Sequence, residues 1–138
     1  MTHTAPYTLH IHLHDDPATV EPRVREALAA AGFGILSEID VQATLRDKLG
    51  EDIGAYTILG ACNPPLARQA ITADPDIGAL LPCNVVVRAG AQGGTDVLAA
   101  DPDAMLALSD AAALTDVAAD ARQRLQQALQ RLEPDTQR

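Results

Sequence analysis

At Asn63-Pro64, Asp74-Pro75 and Asp101-Pro102 this chain sets a short capping side chain directly before a proline. A side-chain oxygen of Asn or Asp satisfies an orphan N–H of a helix's first turn, and the fixed φ of proline suits the first helical position, where no donor is lost. Each pair therefore predicts the start of a helix. The first helix runs through Leu66, Ala67, Ala70 and Ile71, the second is short and ends near Leu81, and the third carries Met105 and Leu106. Between them, Cys83 to Arg88 and Thr95 to Ala99 read as strands joined by the glycine-bearing loop Ala89 to Gly94, which predicts an antiparallel hairpin.

The first half of the chain alternates in the same way. Residues 7 to 13 put Tyr7, Leu9, Ile11 and Leu13 on one face and His10 and His12 on the other, with His14 continuing it, the period of a half-buried strand. Val20, Val24, Ala27, Leu28 and Ala31 then recur at helical spacing up to Gly32. A proline in a helix interior costs about 3 kcal/mol, so the start is placed at Thr19, which puts Pro22 in the first turn. Phe33 to Ile39 is a second strand, Asp40 caps a helix bearing Val41, Leu45 and Leu49 that ends at Gly50, and Ala55 to Cys62 is a third strand. The final helix, Ala111 to Leu132, carries a narrow seam of Leu114, Ala118, Ala121, Leu125, Ala128 and Leu132. Glu133-Pro134 ends it, and residues 133–138 are expected to fray.

This order predicts an α+β fold: a single two-layer domain over residues 1–138, with a mostly antiparallel or mixed sheet of about five strands covered by helices. A chain of 138 residues supports one core. Only Phe33, Tyr7 and Tyr56 are aromatic, so that core must be assembled from Leu, Ile, Val and many Ala. The formal charge of −9 repels phosphate backbones and anionic lipid, so neither nucleic acid nor a membrane surface is an expected partner. With no apolar run long enough to span a bilayer and no signal-peptide pattern over Met1 to Pro6, a cytoplasmic location is expected, with Cys62 and Cys83 reduced.

Cys62 and Cys83 sit in similar contexts, Leu59-Gly60-Ala61-Cys62-Asn63 and Leu80-Leu81-Pro82-Cys83-Asn84. Two helices between them let the chain go out and come back, which would make the third and fourth strands antiparallel neighbours and bring the cysteines together. Cys62 also precedes the cap Asn63, so the positive end of the following helix favours its thiolate. The expected site is a pocket at one end of the sheet lined by Cys62, Cys83, Asn63 and Asn84, with Glu38 and Asp40 adding polar groups, suited to a small-molecule ligand or to thiol redox chemistry. The plainer reading makes both cysteines small buried hydrophobes at strand ends. Zinc-type C-x-x-C spacing is absent. His10, His12 and His14 are the candidate metal ligands, although an extended strand separates its ends by about 13 Å, too far for all three to share an ion. No common catalytic or cofactor-binding fingerprint occurs, which leaves the cofactor unknown and enzymatic activity undecided.

Gly32-Phe33-Gly34-Ile35-Leu36-Ser37-Glu38-Ile39-Asp40, Ile58 to Ala67 with its Gly60-Ala61-Cys62-Asn63-Pro64 centre, and Leu80-Leu81-Pro82-Cys83-Asn84-Val85-Val86-Val87 resemble the prokaryotic family called domain of unknown function 302. The resemblance extends from about residue 19 to 132, with Asp101-Pro102 and Met105-Leu106 in the same style, and leaves the histidine strand outside. It implies a compact α+β domain, a homodimer, and no agreed biochemical activity. Both cysteine motifs match the family pattern, whereas the histidines do not belong to it. A non-catalytic homodimerising module, touching its partner through the C-terminal seam or the sheet, is therefore the alternative to a ligand-binding or redox domain, and metal binding at the histidine strand is the third reading.

Overall fold

The computed structural model describes residues 5–133. The tail residues 134–138, part of the segment expected to fray, lie outside the described residues. Strands β1 (Thr8–Leu13), β2 (Gly34–Asp40), β3 (Tyr56–Cys62), β4 (Cys83–Ala89) and β5 (Thr95–Ala100) form one sheet in the order β1-β5-β4-β3-β2, every pair antiparallel. The fold is α+β as expected, and the sheet is wholly antiparallel. Among the described residues five α-helices accompany it: α1 (Pro17–Ala30), α2 (Val41–Leu49), α3 (Pro64–Ala73), α4 (Pro102–Leu106) and α5 (Leu114–Leu132). A 3₁₀ helix spans Pro75–Leu80.

The capping pairs act as the sequence predicts. Asn63, Asp74 and Asp101 each accept a backbone N–H of the helix that follows, at 3.2, 3.1 and 3.0 Å. A fourth pair, Asp16-Pro17, starts α1 in the same way, with Asp16 accepting from Thr19 N at 2.9 Å. The expected start at Thr19 is therefore corrected, and Pro22 lies inside the helix. It is tolerated because both Pro22 and Ala18, whose carbonyl loses its N–H partner, face solvent, where water replaces the missing bond. α5 likewise begins at Leu114, three residues later than predicted, with no side-chain cap.

Alternation along the strands sends Leu9, Ile11, Leu13, Leu59, Ala61, Val85, Val87, Val97 and Ala99 to the face covered by α1 and the second half of α5. Leu66, Ala70, Ile77, Leu106 and the first half of α5 form a second apolar cluster at the sheet's end. The whole predicted seam of α5 is consumed by these two clusters, so it is not available to a partner subunit. Strand β2 is the exception to burial, exposed along nearly all its length and holding only β3 beside it.

Candidate functional site

A core whose one aromatic residue is Phe33, built otherwise from aliphatic side chains and many alanines, has little with which to fill the seam between its two clusters. A cavity of about 310 Å³ opens there, walled by Phe33, Leu66, Ala70, Met105, Leu106 and Val117. Alanines at 61, 67, 100 and 121 line the same space, where larger side chains would close it. Leu36 and Ile71 stand at its rim and remain 69% and 46% exposed. The Leu81–Pro82 peptide, which is cis, carries the chain past the cavity into β4. Pro82 packs close over Gly60, where an added Cβ would come within 2.9 Å of Pro82 Cγ and 2.2 Å of Ser37 Oγ.

Cys62 and Cys83 both border this cavity, on adjacent antiparallel strands as expected from the out-and-back path of the intervening helices. They do not meet. The residue opposite Cys83 is Ala61, and because side chains alternate along a strand, Cys62 is directed to the other face of the sheet. Both are free thiols. Burial, with a smaller electrostatic contribution from Cys62, pushes the Cys83 thiol up to about 11, so it is held protonated at neutral pH. The expected cysteine pair is thus corrected by a register offset of one residue, which sequence spacing does not reveal.

Of the expected polar lining, only Asn63 borders the cavity, its Oδ1 capping α3 and its Nδ2 without a hydrogen-bond partner among the described residues. Asn84 lies opposite Gly60, is exposed, and does not line it. Glu38 pairs with Arg25 from α1, and Asp40 caps α2 by accepting from Ala43 N at 2.9 Å. Asp40 lies opposite Thr57 whereas Gly34 lies opposite Cys62, so Asp40 marks the end of β2 remote from the cavity.

The histidines belong to a different constellation on the sheet face opposite the core. Asp96 on β5 accepts from His10 Nε2 at 2.9 Å and His12 Nδ1 at 3.0 Å, both on Oδ1, and from Arg88 at 3.0 Å on Oδ2. Burial opposes ionisation of Asp96, but the bonds from His10 and His12 and the positive charge of Arg88 prevail and hold its carboxyl below the usual value. A carboxylate only accepts, so it fixes the N–H of His10 at Nε2 and that of His12 at Nδ1. His14 lies past the strand's end, with its ring edge-on to His12 at 6.1 Å. Among the described residues no group of three or more His, Cys, Asp or Glu is arranged to hold a metal ion. Sequence reading missed Asp96. The period of two in the β4–β5 hairpin could have placed it beside Arg88, but not beside β1, whose His10 lies 86 residues away along the chain.

Among the described residues no helix is long and apolar enough to cross a membrane. Among curated proteins no sequence matches. The chain is similar to an uncharacterized conserved DUF302 protein from Bacillus stearothermophilus, whose crystal structure superposes with a TM-score of 0.86 at 27% identity, covering 94% of this chain and 100% of that one. The model of the family described as domain of unknown function DUF302 matches residues 9–132, taking in the histidine strand that the sequence resemblance had left outside. With nearly the whole described chain matched and the same fold found in a relative, this protein belongs to the DUF302 family.

Proposed function

We propose that this domain binds a small, mainly apolar molecule in the cavity at the sheet's end. The observation that carries this reading is a space of about 310 Å³ with aliphatic walls, an exposed apolar rim and one uncommitted polar group, Asn63 Nδ2. Ligand sites are typically concave, mostly apolar and supplied with few polar groups, at volumes from roughly 300 Å³ upward. Thiol redox chemistry is not part of the proposal, since Cys83 is held protonated and the register turns Cys62 away from it. The test is a titration with 1-octanol followed by methyl NMR. Saturable shifts of Leu66, Leu106 and Val117, abolished in Ala70→Phe, are expected. Shifts scattered over the surface, or unchanged by Ala70→Phe in a variant that keeps the wild-type spectrum elsewhere, would reject the reading.

A second reading, a homodimer, is favoured by a specific surface. Ile39 on the edge strand β2, Leu49 on α2 and Ile53 after it are 49%, 63% and 49% exposed, and one edge of β2 offers unpaired backbone groups. A second copy would satisfy that edge and cover those side chains. Light scattering at micromolar concentration should then give a dimer that Ile39→Lys dissociates. A monomer at that concentration removes this reading.

A further inference from the structure

Beside the Asn63 wall of the cavity, two N–H donors converge on Gly32. A Cβ built on Gly32 would lie 3.0 Å from Asn63 Nδ2 and 3.4 Å from an Arg124 guanidinium nitrogen. Gly32 has φ +95° and no side chain, so this space between the two donors stays open. Asn63 is itself part of the cavity wall, and Arg124 lies one turn along α5 from Ala121, another wall residue. The Arg124 guanidinium is only partly engaged: Nε donates to Asp120 at 2.9 Å, and Nη1 reaches Ala31 O at 3.4 Å. Among the described residues its Nη2 and Asn63 Nδ2 have no acceptor.

From this corner we infer that the molecule the cavity takes is an amphiphilic anion, an apolar chain ending in a carboxylate-like head that Asn63 and Arg124 hold while the chain lies among Leu66, Ala70 and Leu106. The inference rests on the apolar-cavity reading above and adds the chemistry of the head. A guanidinium stays charged at any ordinary pH and presents its donors in a planar fork suited to a carboxylate. The opposing negative charge is Asp120, which occupies Nε; Nη1 reaches Ala31 O, and Nη2 is left to a ligand. The thiol that faces the cavity, Cys83, is uncharged at neutral pH and adds no repulsion.

The probes are octanoate and 1-octanol, equal in chain length and different only in the head, titrated into the full chain and followed by NMR. Octanoate is expected to bind about fivefold tighter, the upper end of what a partly exposed ion pair contributes. In Arg124→Gln that preference should fall to within about twofold, chiefly through weaker octanoate binding, since Arg124 is not itself one of the residues that wall the cavity. Equal affinity of the two probes for the wild-type protein, or a preference that survives Arg124→Gln, overturns the anionic head and leaves the apolar cavity standing. Failure of both probes to shift the wall methyls overturns the cavity reading together with it.

Discussion

Replacing Asp96 by Asn tests whether the carboxylate beneath the histidine strand is a stabilising charge. The side chain is 12% exposed and takes bonds from His10, His12 and Arg88 at 2.9, 3.0 and 3.0 Å. Asparagine keeps an oxygen for the two imidazoles, but those bonds lose their charge assistance, roughly half of their strength. The amide nitrogen then faces Arg88, donor against donor, and that charged bond, worth about 1.5–3 kcal/mol, is lost. The expected cost is about 3 kcal/mol at neutral pH, or a fall in Tm of about 10 °C for a chain of this size. Urea unfolding followed by far-UV circular dichroism, repeated across pH, reads it. Because the folded carboxyl titrates below its ordinary value of 3.8, its contribution is complete above that value and disappears as the pH falls through the lower, folded one. Equal stability of the two proteins at neutral pH, or a gap that does not shrink at all as the pH falls below 3.8, would refute the reasoning.

The core, the β4–β5 loop and the buried thiol each carry a further expected outcome. Leu59→Ala removes a side chain that is 0% exposed at the centre of β3, and should cost about 3–4 kcal/mol in urea unfolding; a loss under about 1 kcal/mol would contradict its place in the core. Gly94→Ala forces a Cβ to 2.4 Å from Leu13 O at φ +70°, and should cost about 2 kcal/mol or more, whereas unchanged stability would show that the loop relaxes freely. In Cys62→Ser, the remaining Cys83 should react with a disulfide reagent at pH 8 at least about tenfold more slowly than a small free thiol, because burial, the larger cause of its raised value, is untouched; reaction at the free-thiol rate would show that it is neither buried nor protonated.

The amino-acid sequence by itself determined the elements and most of their ends, because those depend on neighbours within a turn: Asn63, Asp74 and Asp101 cap whatever helix follows them, and the alternation of Leu9, Ile11 and Leu13 buries one face of any strand they form. The error at α1 had the same local origin, since Asp16-Pro17 is one more capping pair and the penalty assigned to Pro22 assumed an interior without water. What only the tertiary structure decided was register and juxtaposition. Cys62 and Cys83 reach neighbouring strands, yet a single residue of offset directs them apart; His10 and His12 find Asp96 because β1 closes the sheet against β5; Asn63 and Arg124 meet at Gly32 because α5 lies beside the start of α3. Each of these distances is set by how two apolar clusters pack side by side and where their small residues leave a gap, and the free energy of that packing belongs to contacts between segments far apart along the chain.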